Sequence, residues 1–310
     1  MTRGFDTTKE GVEVTRPKKE ATWHERLESK TRDFRRSFHR FKSPLSLVGL
    51  CIIIADIMMA VFAPYIAPYP DEGRGDVVDL QNKLQPPSMI HLCGTDEVGR
   101  DLLSRIVFGS RVSLALGIAI ISIGAAIGVT LGLIAGVFGG LIDAVIMRIT
   151  DIFLAIPYLV LALAITAALA PSLQNMALAV GFAWFPAYAR LVQGEVIHIK
   201  EEQFIEASKS LGASRLRIAF KDILPNVINP LVVKVSLDLG FAILVGSALG
   251  FLGLGAQPPT PEWGTIISIG RTYLPSTWWI VTFPGIALFL TVLGFNLLGD
   301  GLRDLFASGE

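Results

Sequence analysis

The sequence predicts an all-α membrane protein with six transmembrane helices, and three observations carry that expectation. Of 310 residues, 52% are hydrophobic and 17% charged, which leaves too little polar surface for a soluble chain of this size. Six apolar stretches, at residues 44–63, 112–137, 144–170, 175–189, 230–254 and 279–298, approach the roughly 20 residues a helix needs to cross a bilayer; the fourth does so by running on to Gln193. Net charge is zero, but its distribution is uneven. With the amino terminus inside, 21 of the 27 Lys and Arg fall on inner segments and 6 on outer ones. Both termini are therefore expected in the cytoplasm.

Residues 1–43 hold 12 basic and 7 acidic side chains and few aliphatics, so at least the first 20 are expected to lack fixed structure. Phe34, Phe38 and Phe41 recur at helical spacing among Arg35, Arg36, Arg40 and Lys42, which fits either a helix on the membrane surface or a solvated tail. The first span begins too far along the chain for a cleavable signal peptide. Inside it, Asp56 must face protein or water, as part of a substrate path or as the partner of a neighbouring helix. Cys51 and Cys93 sit at different membrane levels, so a disulfide between them is not expected, and the cysteines have no metal-ligand spacing.

Pro64, Pro68 and Pro70 end the first helix and open the largest outer segment. Its second half, HLCGTDEVGRDLLSRIVFGSRVSL, predicts a short surface helix capped by Thr95 or Asp96, with Leu102, Leu103, Ile106 and Val107 as its apolar stripe. A catalytic role for Asp96 and Asp101 lacks an accompanying nucleophile or metal cluster. In the second span Gly124, Gly128, Gly132, Gly136 and Gly140 step by four, forming a groove for another helix. A phosphate loop is the rival reading, but the chain has no G-x-x-x-x-G-K-[ST] and is not expected to hydrolyse ATP alone.

Farther along, Asp143, Arg148 and Asp151 cluster at an inner helix end, where Arg148 is expected to pair with either acid. Pro157 and Pro186 are positions where the third and fourth helices are expected to bend. Lys234 and Asp238, four apart in the fifth span, neutralise each other either in a watered cavity or as a buried pair. Trp278 and Trp279 fit an aromatic belt before the last span.

Between two apolar spans, EEQFIEASKSLGASRLRIAFKDILP at 201–225 is polar yet helical in period. Phe204, Ala207, Ser208 and Leu211 share one predicted face; Leu216, Ala219, Phe220 and Ile223 share a second. Gly212 is read as the stop between them, Ser214 as the next N-cap, and Pro225 as the end. A compact amphipathic element held at a membrane surface invites a soluble partner.

This stretch resembles the cytoplasmic coupling loop of ABC importer permeases: Glu206, Ala207, Gly212, Leu224 and Pro225 match that loop's pattern in spacing, Ser208 replaces an Ala, and Asp222 stands at an Ile position. Gly94, Thr95, Asp96, Gly99, Arg100, Asp101, Ser104 and Arg105 resemble the amino-terminal signature of the permeases that import dipeptides, oligopeptides and nickel. Phe251, Leu252, Gly253, Leu254, Gly255, Pro261, Trp263 and Gly264 match the same subfamily, as does the closing GDGLRD.

The resemblance covers residues 44–305 and implies a type I ABC importer permease fold with a cytoplasmic coupling helix-turn-helix. It divides the chain into a tail (1–43), a first helix and external loop with its surface helix (44–111), a core permease domain (112–305) containing the coupling loop (195–228), and a short end (306–310). It implies import of peptides, or of nickel or glutathione-like substrates, across a plasma (inner) membrane. Implied partners are a homologous second permease, two cytoplasmic ATPases that hold ATP and Mg, an external substrate-binding protein and membrane lipid; no nucleic acid or bound cofactor is expected. Glu206, Ala207, Ser208, Gly212, Ala213, Leu224 and Pro225 become the ATPase-coupling residues, and Gly246, Ser247 and Phe251 join Asp56, Lys234 and Asp238 as candidates for path or gate. An ion-coupled secondary transporter built on Asp56 and the Lys234/Asp238 pair is the alternative class, but no inverted repeat accompanies those charges. A membrane-embedded enzyme lacks any set of ligands or of nucleophile and base.

Overall fold

The computed structural model describes residues 44–306. The tail with Phe34, Phe38 and Phe41 lies outside the described residues, as do residues 307–310. The chain runs through α1 (Pro44–Val61), the short α2 (Ala63–Ile66) and α3 (Pro70–Arg74), then α4 (Leu102–Phe138), α5 (Gly140–Ala155), α6 (Tyr158–Ala168) and α7 (Leu173–Lys200). There follow α8 (Gln203–Ser210), α9 (Arg215–Arg217), a π-helical stretch at Ile218–Ile223, α10 (Leu224–Phe251), α11 (Trp263–Gly270) and α12 (Trp279–Phe306). Among the described residues the extended backbone makes one isolated bridge, Thr95 to Asp101, and no strand.

Among the described residues, four helical segments are long and apolar enough to cross a membrane: α1, α4, the run Arg215–Phe251 and α12. The pair α5 and α6 adds a fifth if counted as one bent crossing. Its two halves meet at 88°, a full break where the sequence predicts a bend. Pro157 has no N–H to continue the ladder and forces extended backbone on Ile156, whose ψ is 128°. Pro186 instead lies within the continuous α7.

The predicted surface helix before the second span is not separate. Asp101, not Thr95 or Asp96, is the N-cap: its carboxylate accepts from the Ser104 N–H at 2.8 Å, and the helix then runs unbroken for 37 residues, about 55 Å. The glycine ladder packs α4 onto α7. A methyl group at Gly132 would stand 2.5 Å from the Ala189 carbonyl oxygen, and one at Gly136 2.6 Å from Val196. Gly181 answers from α7, lying against Ile120 and Ile123. Gly140 leaves the ladder and opens α5 at φ +55°. Close approach of this kind substitutes van der Waals contact for the hydrophobic drive that lipid removes. Small residues also seat α12, with Gly49 and Gly294 at its contact with α1 and Gly240 beneath Phe295 at its contact with α10.

Candidate functional site

At the Phe138 end of α4 stands the helix-turn-helix. Gly212 takes φ +79°, a left-handed conformation that stops α8, and the Ser214 hydroxyl accepts from the Arg217 N–H at 3.3 Å, so the stop and the cap fall where the sequence places them. Its foot consists of Ile205, Ile218, Ala219 and Ile223, buried with Leu133, Val137, Val192, Val196, Ile199 and Val227. The two predicted stripes are not the buried ones. Only Ala219 and Ile223 go inside; Phe204, Leu211, Leu216 and Phe220 stay exposed, Leu211 at 88%. The π register explains part of the difference, because i→i+5 bonding rotates successive side chains off the 3.6-residue face. Glu206 and Ala207 are exposed beside them, Ser208 and Ala213 are partly covered, and Asp222 is half-buried.

Pro225 does not end the second helix. Leu224 is half-buried and Pro225 falls in the first turn of α10, where a missing N–H costs nothing, and the chain stays helical from Arg215 to Phe251. Lys200 ties the element to α4 by donating to the carbonyls of Gly136 at 2.8 Å and Val137 at 3.2 Å, groups a helix end leaves unpaired. Asp151 pairs with Arg190 rather than with Arg148, and Asp143 accepts from the Gln193 amide at 3.1 Å. Long-range partners on α7 are invisible to local spacing.

Lys234 and Asp238 do form an ion pair, 2.9 Å apart on α10. Trp184 of α7, which sequence reasoning missed, donates its indole N–H to Asp238 Oδ2 at 3.1 Å, and the Lys234 ammonium lies 5.3 Å from the centre of the Tyr188 ring. The pair borders a cavity of about 590 Å³ and a second of about 370 Å³. Asp56 is elsewhere. It accepts from the Thr291 hydroxyl at 3.0 Å, joining α1 to α12, and lines a separate apolar cavity of about 370 Å³.

Gly246 and Ser247 are buried within the chain, Gly246 against Leu116 and Ser247 donating to Glu262 at 2.8 Å. Phe251 is half-buried and lies beneath the Arg271 guanidinium, 4.6 Å from the ring centre. Glu262 caps α11, accepting from the Gly264 and Thr265 N–H groups at 2.9 and 2.8 Å. Burial pushes its carboxyl above the ordinary glutamate range, against the pull of those donors. The only sequence signal for it was a carboxylate placed just before a helix start.

The residues 94–105 form a buried polar knot at the Leu102 end of α4. Asp96 accepts from Arg100 Nε at 2.7 Å and from the Arg100 and Val98 N–H groups at 2.9 and 3.0 Å, and Arg105 Nε lies 3.3 Å away. The Thr95 hydroxyl donates to the Asn82 carbonyl at 2.6 Å, and Asp101 meets His91 Nδ1 at 3.0 Å. Gly94 and Gly99 supply φ of +78° and +86° where the loop reverses. The knot reaches across the chain: Arg105 donates to the Pro259 carbonyl at 3.2 Å and the Trp279 indole to the Thr95 carbonyl at 3.2 Å. Trp279 is thus buried, and Trp278 alone has the exposure of a belt residue.

Residues 128–309 match the family described as the binding-protein-dependent transport system inner membrane component, and residues 29–87 match the N-terminal TM domain of oligopeptide transport permease C. The chain is 46% identical over 263 residues to the probable D,D-dipeptide transport system permease protein DdpC of Escherichia coli K12, covering 85% of this chain and 87% of that one. It is 48% identical over 275 residues to the dipeptide transport system permease protein DppC of the same strain, covering 86% and 90%. Against the glutathione transport system permease protein GsiD of Escherichia coli O6 the identity is 43% over 282 residues, covering 91% and 89%. An inward-facing structure of the MetNI methionine ABC transporter shares the fold at 21% identity, with a TM-score of 0.54 over 67% of this chain and 97% of that one. The chain therefore belongs to the family of inner-membrane components of binding-protein-dependent transport systems, as a permease rather than an enzyme.

Proposed function

We propose that this chain is one of the two permeases of an ATP-driven importer of di- and oligopeptides. Its six crossings are α1, α4, the bent pair α5 and α6, α7, α10 and α12. The fourth of these, α7, is the least apolar, and its Met176, Val180, Trp184, Tyr188 and Val192 are covered by protein rather than lipid. The excess of Lys and Arg at the helix-turn-helix end sets that end in the cytoplasm and the knot outside.

The observation that carries the reading is the division of the helix-turn-helix into a packed foot and an uncovered apolar top. Ile205 and Ile223 are wholly buried, so the element is firmly seated; Phe204, Leu211, Leu216 and Phe220 are exposed at 45–88% although all four are large and apolar. Apolar area of that kind on a polar loop is a docking surface for a protein. Its occupant is the ATPase subunit, which binds ATP and Mg; a homologous permease completes the pathway and an external binding protein delivers substrate. When the ATPases close on nucleotide, the seated element transmits their movement to α10 as a rigid lever, and the pathway opens to the other side. The names of the similar dipeptide and glutathione permeases support short peptides as the substrate class.

The test is reconstitution in proteoliposomes with the second permease, the ATPases and the binding protein. Uptake of a labelled dipeptide that requires ATP and all subunits is expected. Uptake by this chain alone under a proton gradient would overturn the reading, as would reaction of Lys209 or Lys221 with an impermeant amine reagent from the outer face.

A further inference from the structure

Lys234 and Asp238 are the wall shared by two cavities. The larger also carries Glu195, His198, Asn226 and Arg303; the smaller is aromatic, with Phe153, Tyr158, Trp184 and Phe241. Asp238 Oδ2 takes both the Lys234 ammonium and the Trp184 indole N–H, and the buried Tyr188 hydroxyl lies against the same carboxylate. Lys234 has three N–H groups and spends one on Asp238. A pair retained for packing alone gains nothing over apolar side chains of the same volume. This one is bordered by open space on two sides.

We propose that Lys234 and Asp238 are a way station for the two charged ends of a short peptide, Asp238 receiving the α-ammonium and Lys234 the α-carboxylate. The proposal rests on the peptide-import reading. An extended dipeptide separates its ends by about 7 Å, two residues at roughly 3.3–3.6 Å each. On entry the ion pair opens, and each partner exchanges one counter-charge for another. No unpaired charge is created in the low-dielectric interior at any point of the exchange. The aromatic cavity accepts side chains of different shape through ring faces rather than directed hydrogen bonds, which suits a carrier of varied peptides. Because Lys234 and Asp238 pair with each other whenever the peptide leaves, the station competes with its own substrate and holds it weakly, as a conducting path requires.

The assembled transporter tests this with radiolabelled alanyl-alanine and the double variant Lys234→Met/Asp238→Leu. A structural pair replaced by apolar residues would leave uptake unchanged, and that result overturns the station. The expected result is uptake reduced about tenfold while ATPase stimulation by the loaded binding protein persists. Should the double variant fail to assemble, a diazirine-bearing dipeptide supplied to the wild type during turnover decides: cross-links to Trp184 or Phe241 support the station, and their absence refutes it. A wild-type transporter that imports no peptide would instead strike the proposed function, which keeps the two failures apart.

Discussion

At the Leu102 end of α4, Thr95, Asp96, Arg100 and Asp101 are almost wholly buried, Asp96 paired with Arg100 and Thr95 and Asp101 bonded to neighbouring loop groups; at the Phe138 end, Phe204, Leu211, Leu216 and Phe220 are exposed. Polar groups are inside at one end and apolar groups outside at the other, both against the usual preference. The first inversion is tolerated because every charge of the knot meets an opposite charge or a backbone partner, and the knot ties the loop at 69–105 to Pro259 and Trp279. The second has no such compensation among the described residues. Two motifs of equal prominence in the sequence therefore differ in kind: one holds the protein together, and the other is left for something else to cover.

The sharpest way to break that contrast is to cut the knot. Asp96→Ala leaves Arg100 and Arg105 buried without their shared carboxylate, and removing one member of a buried ionic network costs about 3–5 kcal/mol. Thermal unfolding of the purified chain in detergent is expected to show the largest loss of any substitution considered, and an unfolding midpoint equal to wild type would mean that the knot is not structural. Ile223→Ala, in the foot of the helix-turn-helix, comes next. Truncating a fully buried Ile costs about 2–5 kcal/mol, and the same unfolding assay is expected to register it.

The acid dependence of the knot gives a smaller, signed effect. Burial and the neighbouring Asp96 carboxylate raise the Glu97 carboxyl above its ordinary range, more than Arg100 and Arg105 lower it. A raised pKa means that the folded state holds the proton more tightly than the unfolded chain. The stability contribution is then fully present below the ordinary value of 4.5 and is lost as pH rises through the folded value. Compared with Glu97→Gln, which cannot ionise, wild type is expected to lose unfolding temperature as pH is raised from acid toward neutral. A difference between the two that is constant with pH would show that Glu97 is solvated.

How much of this was legible depended on the range of the interaction. The glycine ladder declared its groove, because a four-residue step is a local property and its partner α7 had only to supply Gly181, Ala189 and Val196. Gly212, Ser214 and the Lys234/Asp238 pair were local in the same sense. The break at Pro157 was placed correctly, but its 88° angle was not readable, since proline removes a hydrogen bond without fixing where the chain goes next. Nor was the continuity of α4, which turned on Asp101 rather than Asp96 reaching the right N–H. Arg190, Trp184 and Glu262 found partners 39, 54 and 15 residues away, and no periodicity reports those. The second face of the helix-turn-helix was misread in part because the π stretch at Ile218–Ile223 has a different period from the one used to read it.

Leu211→Ser and Phe220→Ser probe the other side of the contrast. Both side chains are mostly exposed, so each substitution is expected to change stability by no more than about 0.5 kcal/mol. On an isolated chain they are the weakest substitutions of all. In the presence of the ATPase subunits they are expected to lower the yield of intact complex on gel filtration, because the apolar area they remove is the area the partner would cover. The order of severity thus reverses between the two assays: Asp96→Ala is severe in unfolding, whereas Leu211→Ser and Phe220→Ser are silent there and severe in assembly. Loss of stability without loss of assembly in the Leu211 and Phe220 variants would mean that these residues belong to the foot rather than to the docking surface, and the two ends of α4 would then be built on the same plan.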